Sequence, residues 1–177
     1  TTLVQVGGLN VLTDPMFSER ASPWQRLGPK RAQPPGLALT ELPHIDLVVV
    51  SHNHYDHLDE GSVRALAAQA GGSPLFVVPL GIRAWLAEVG VTSVVELDWW
   101  QSHRLGDVQV VMTPVQHWSA RGFTDAMRER LTAYGLFHEI ISWKLRMFVP
   151  TDTTGAAILA KVLERHPVER IGEREAA

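Results

Sequence analysis

The run Asp46-Leu47-Val48-Val49-Val50-Ser51 narrows the fold more than any other segment. Its four central residues are all apolar, without the alternation expected of a strand that has one wet face. A strand of this kind lies inside a sheet covered on both sides, so the chain must build layers around it. Thr2–Val6 and Leu9–Asp14 read as two strands joined at Gly7-Gly8, because glycine accepts the positive φ that both central positions of a tight hairpin need. Leu75–Val78, Val94–Leu97, Val108–Thr113 (after a Gly106-Asp107 turn), Phe137–Ser142 and Leu145–Val149 read as further strands. Glu60–Ala70, with Val63, Leu66 and Ala67 at helical spacing, Gly81–Val89 and Gly155–Arg165 read as helices. Strands alternating with helices predict an α/β fold. Residues 15–45 carry six of the chain's eleven prolines and read as an extended surface loop.

Composition sets the outer limits. The 177 residues suit one domain, and 45% apolar with 20% charged residues is the balance of an ordinary globular chain. No apolar run approaches the ~18 residues of a membrane span. A net charge of −3 offers no basic excess for nucleic acid. The absence of cysteine excludes disulfides, thiolate metal sites and a thiol nucleophile. The first residues have neither a basic nor an apolar leader region, which leads to the expectation of a cytoplasmic protein. The chain also opens directly in a strand, so a partial domain is expected. The charged residues from Glu164 onward read as a solvated terminal segment.

The chemistry concentrates in Ser51-His52-Asn53-His54-Tyr55-Asp56-His57-Leu58-Asp59. This segment leaves the C-terminal end of the apolar strand, the edge where ligands collect in α/β folds. Neutral imidazole and carboxylate are good ligands for zinc and similar divalent ions. Alternate residues of an extended stretch point the same way, so His52 and His54 can share one ion. Asp56 and His57, past the bend, can reach a second. His117 again follows a strand. His44, His103 and His138 lack ligand spacing, and His166, before Pro167 in the charged tail, reads as a surface residue.

The segment resembles the signature of the metallo-β-lactamase superfamily. Leu12-Thr13-Asp14-Pro15, Arg20-Ala21-Ser22-Pro23, Gly28-Pro29-Lys30-Arg31 and Thr113-Pro114-Val115-Gln116-His117-Trp118-Ser119 narrow the resemblance to the branch of N-acylphosphatidylethanolamine-hydrolysing phospholipases D. It covers about residues 3–125 and fades after about residue 132. It implies a four-layer αβ/βα sandwich, here a single partial domain over 1–177, incomplete at both ends. It also implies one or two divalent ions, zinc first among them, with His52, His54 and His117 on the first and Asp56 and His57 on the second. A bridging carboxylate is expected near a later strand end, and Asp152 in Thr151-Asp152-Thr153-Thr154-Gly155 is the candidate; capping of the following helix is its other reading. The family's last His ligand is expected beyond residue 177.

The implied activity is metal-dependent hydrolysis of a lipid phosphodiester by water activated at the metal, with Asp56 orienting that water and Tyr55 touching substrate. A peripheral membrane contact goes with such a substrate. Two other readings stand beside it: opening of a lactone or β-lactam ring at the same site, and a non-catalytic metal-binding remnant or interaction module. Trp99 and Trp100 read as packing residues before a lipid groove is invoked, and Trp118 suits either role. Asp59 reads as a helix N-cap. Asp14 has two readings, a turn-forming Asp-Pro or a carboxylate that hydrogen-bonds a metal-binding histidine from behind.

Overall fold

Both glycines of the first turn take positive φ, 55° at Gly7 and 76° at Gly8. They fold β1 (Thr2–Val6) back on β2 (Leu9–Thr13), with Val6 opposite Leu9. The computed structural model describes residues 1–116, 121 and 141–148. After the long proline-rich loop come β3 (Leu47–Val49), α1 (Glu60–Ala67), β4 (Leu75–Pro79), α2 (Ile82–Glu88) and β5 (Val94–Leu97). The five strands form one sheet in the order β1-β2-β3-β4-β5, parallel from β2 onward. β6 (Ser102–Leu105), β7 (Val108–Gln116) and β8 (Ile141–Phe148) form a second, antiparallel sheet.

The apolar run that opened the sequence argument works as its composition requires. Successive side chains of a strand point to opposite faces. Val48 and Val50 join Leu12, Phe76 and Val78 against Val63 and Leu66 of α1 and Ile82 and Leu86 of α2. Leu47 and Val49 join Val11 and Val77 on the other face, against Val108, Val110 and Met112 of the second sheet. The first sheet is therefore sandwiched, helices on one side and β6-β7-β8 on the other.

Several boundaries differ from the sequence reading, each for a local reason. β2 stops at Thr13 because Asp14 leaves the strand with φ 45°. α1 stops at Ala67, short of Ala70, ahead of Gly71 and Gly72 with φ 90° and 111°. β6, absent from the sequence reading, is half polar, and it is held by the hairpin that places Leu105 opposite Val108. β7 runs on through Pro114, which is permitted because the β6 pairing ends at Val111 and leaves β8 as the partner there. Trp143 and Lys144 do not interrupt pairing, so the two strands expected over 137–149 are a single β8 across the described part. Trp99 packs, half-buried, against the inter-sheet core. Trp118, His138, the helix expected at Gly155–Arg165 and His166 lie outside the described residues.

Phe76 is fully buried at the centre of the helix-facing core. Phe76→Ala should lower stability by about 3–5 kcal/mol, read from urea denaturation. A loss below about 1 kcal/mol would show that the helices do not pack on this sheet face as described.

Candidate metal centre

β2 and β3 end side by side, with Thr13 paired to Val49 and Asp14 N–H donating to the Val49 carbonyl (2.9 Å). This register brings Asp14 next to Ser51. Asp14 Oδ1 accepts the Ser51 N–H (2.7 Å), and Oδ2 accepts the Ser51 hydroxyl (3.0 Å) and His57 Nδ1 (3.0 Å). Of the two readings open for Asp14, the hydrogen bond to a histidine of the cluster is the one the structure bears out.

The histidine segment closes into a turn. The N–H groups of His57 and Leu58 both donate to the His54 carbonyl, at 3.0 and 2.8 Å. Leu58 is fully buried and pins the turn to the core. Asp59 then caps α1, accepting the Ser62 N–H at 2.9 Å, as its sequence position predicts. The same carboxylate accepts the Ser18 hydroxyl (2.8 Å), which fastens the proline-rich loop beside the site.

Within the turn His52 meets His54 edge to face (78°) and His57 at a tilt (43°). His52 lies 4.5 Å from His54 and 4.1 Å from His57, centroid to centroid. His52 Nδ1 meets Ser51 Oγ (2.8 Å), and His52 Nε2 meets His54 Nδ1 (2.9 Å). The single Ser51 hydroxyl proton goes to the acceptor-only carboxylate of Asp14, so Ser51 Oγ accepts from His52 Nδ1–H. That leaves the His52 lone pair on Nε2, facing His54. On the other side His57 gives Nδ1–H to Asp14 and turns Nε2 toward Asp56 Oδ2, 3.5 Å away. With metal–ligand bonds of about 2.0–2.2 Å, two ligands on one tetrahedral ion stand roughly 3.3 Å apart. The separations of 2.9 Å and 3.5 Å flank that value. Both pairs offer the nitrogen and oxygen donors that suit a divalent ion, with Ser51 bonded behind His52 and Asp14 behind His57.

Among the described residues, no three His, Asp or Glu side chains already stand as a complete coordination group. The structure brings His52, His54, Asp56 and His57 into one cluster; His117 and Asp152 lie outside the described residues. The Tyr55 hydroxyl donates to the Arg121 carbonyl (2.9 Å). Ser51, Trp85 and Arg121 are parts of the site that the sequence reading did not single out. The adjacency of Ser51 to His52 was a usable signal for the first. Trp85 and Arg121 come from distant segments and carry no spacing signal.

His57 is half-buried, and its pKa is raised above the ordinary 6.5. The hydrogen bond to Asp14 is the largest cause; burial opposes it, and the charges of Asp14 and Asp56 add to it.

Residues 9–167 match the family described as the beta-lactamase superfamily domain. An uncharacterized protein of Mycobacterium tuberculosis is 46% identical over 123 residues, 68% of this chain and 32% of that protein. N-acyl-phosphatidylethanolamine-hydrolyzing phospholipase D 1 of Caenorhabditis elegans is 33% identical over 162 residues, 86% of this chain and 44% of that protein. The chain thus spans 32% of the length of the first of these relatives and 44% of the second. Among solved structures, a possible metal-dependent hydrolase from Veillonella parvula superposes with a TM-score of 0.55 at 16% identity, over 93% of this chain and 64% of that one. The α/β sandwich with a histidine cluster at its sheet edge is thus the metallo-β-lactamase-like fold that the motifs implied.

The raised His57 value has a defined consequence for the metal-free protein. The imidazolium–Asp14 contact stabilises the fold fully below the unfolded histidine value of about 6.5, and the contribution fades as pH rises through the higher folded value. Asp14→Asn keeps an acceptor and removes the charge. The stability gap between wild type and this variant should therefore narrow from pH 6 toward pH 8.5 in urea melts. A gap that widens with pH would mean that His57 is not the proton-binding partner of Asp14.

Proposed function

The chain belongs to the beta-lactamase superfamily, and from that premise we propose that it is a metal-dependent hydrolase. Its reaction in this reading is that of a phospholipase D-type phosphodiesterase on N-acylphosphatidylethanolamine-like lipids. The observation that carries the lipid assignment is a cavity of about 510 Å³ that reaches Asp56. Leu3, Leu12, Phe17 and Leu42 give it an apolar wall, and Lys30 and Arg31 bring positive charge to the same wall. An acyl chain joined to a phosphodiester matches both features; a small lactone would leave most of the apolar wall unused. The likeness to the Caenorhabditis elegans hydrolase supports the same substrate class.

The proline-rich loop also favours peripheral contact with a membrane. Arg31 N–H pairs with the Glu19 carbonyl and Ala21 N–H with the Pro29 carbonyl, so residues 19–31 form a hairpin-like excursion. Its tip exposes Trp24 (68%) and Leu27 (66%), apolar groups with Arg26 between them. Among the described residues no helix is long and apolar enough to cross a membrane. A cytoplasmic protein that meets the bilayer through this tip is consistent with the reading.

In this proposal His52, His54 and His117 hold one ion, Asp56 and His57 the second, and Asp152 bridges them. Zinc suits the nitrogen and oxygen donors. Bound there, divalent ions supply a water of lowered pKa and offset charge on the phosphoryl oxygens. Asp56, with its side chain 63% exposed, orients the attacking water and accepts its proton. The new P–O bond forms opposite the leaving group, and the P–O bond to the N-acylethanolamine breaks. The alcohol departs with a proton, and phosphatidic acid remains. Lys30, paired with Glu19 (2.6 Å), and Arg31, whose guanidinium donates to the Ser18, Gln33 and Met16 carbonyls, lend positive potential to the cavity wall that would receive the anionic end of the lipid. Tyr55 contacts substrate through the acceptor side of its hydroxyl, because its proton is committed to Arg121.

His54→Ala should abolish stoichiometric zinc, read by metal analysis after dialysis. Asp56→Asn should lower phosphodiester turnover by more than ~100-fold. Assayed side by side with added zinc, the phosphodiester should be hydrolysed and a lactone left intact. The reverse preference would assign a ring hydrolase, and turnover of neither would leave a non-catalytic metal-binding module.

A further inference from the structure

We propose that Arg121 is a positioning residue that clasps the metal-binding turn and thereby sets its affinity for the ion. This rests on the metal-site reading above. Arg121 Nη1 donates to the carbonyls of Asn53 (3.0 Å) and Leu58 (2.6 Å). These two residues bracket His54, Tyr55, Asp56 and His57, so one nitrogen draws both ends of the turn together. The guanidinium carbon lies over two aromatic rings, 4.4 Å from the Tyr55 centroid and 4.2 Å from that of Trp85 in α2. The Tyr55 hydroxyl returns a hydrogen bond to the Arg121 carbonyl (2.9 Å).

Leu58 anchors the turn in the core and Asp14 holds its His57 side chain; the Arg121 bonds add a clasp on its backbone. The turn contains no regular secondary structure, and its internal backbone bonds are the two that converge on the His54 carbonyl. A carbonyl bonded at Asn53 fixes the peptide between His52 and His54, and so the angle at which His52 Nε2 faces His54 Nδ1. Arg121 also stands four residues past His117, on the chain that leaves β7 of the second sheet. Arg121 thus ties its own position in the chain to the turn that carries the described ligands. Among the described residues its hydrogen bonds go to backbone carbonyls of the turn rather than to His52, His54, Asp56 or His57 side chains, so towards these it acts through the turn.

The test compares wild type, Arg121→Ala and Arg121→Lys in two measurements. In the metal-free protein, amide hydrogen exchange at His57 and Leu58 should accelerate more than ~10-fold in Arg121→Ala, while Val63 in α1 stays at its wild-type rate; partners that orient a ligand typically control affinity by about 10–100-fold. Zinc affinity, read by competition with a chromophoric chelator, should fall over that same range. Arg121→Lys keeps the charge but not the planar guanidinium over two rings, and should fall between the two in both measurements. Unchanged exchange in the turn overturns the proposal whatever the metal does. Faster exchange with unchanged zinc affinity also overturns it, because the clasp would then not govern the site. Failure of the underlying metal reading shows separately, as an absence of zinc binding by the wild type.

Discussion

Asp14 reaches from the end of β2 to three donors: the Ser51 N–H, the Ser51 hydroxyl and His57 Nδ1. The protonation pattern of the cluster follows from those contacts. The Ser51 hydroxyl, committed to Asp14, must accept from His52, and His52 then offers Nε2 to His54. His57, donating through Nδ1, offers Nε2 to Asp56. To hold this place Asp14 takes φ 45°, which costs an L-residue roughly 1–2 kcal/mol. Hydrogen bonds to a charged group contribute about 1.5–3 kcal/mol each, so three of them more than offset the strain. Aspartate also tolerates this conformation better than most residues, and that explains its position at the end of a strand.

The fold brings these groups together through the parallel register of β2 and β3. Both strands end at the same edge, and the apolar run of β3 is locked between two layers. A slip of one residue would exchange the faces of β3 and carry Ser51 away from Asp14. The core therefore sets the geometry of the polar edge. Asp59 extends that order outward: it caps α1 and holds Ser18, so the proline-rich loop closes over the cavity next to Asp56 instead of hanging free.

Much of this was legible in the sequence, for physical reasons. A continuous apolar run, a Gly-Gly turn and a histidine cluster at a strand end are local patterns with local causes. Asp59 as a cap and Trp99 as a packing residue belong to the same class. The role of Asp14 was half legible: Asp-Pro announces a turn, but its bonds to Ser51 and His57 depend on a strand register that sequence does not display. Arg121 and Trp85 were not legible at all, because their contacts join segments far apart in the chain. β6 escaped for a related reason, since a half-polar strand depends on its hairpin partner more than on its own pattern.

The central claim is that the Asp14 carboxylate dictates which nitrogen of His52 and of His57 is left to face a metal. A two-bond 15N–1H correlation spectrum of histidine-labelled, metal-free protein tests it at a pH above the His57 titration. His52 and His57 should both appear as Nδ1–H tautomers with Nε2 unprotonated. In Asp14→Ala the preference of His57 should be lost. A wild-type spectrum with His52 and His57 protonated at Nε2 would contradict the account, because the donor atoms would then be closed to a metal and Asp14 would not be organising them.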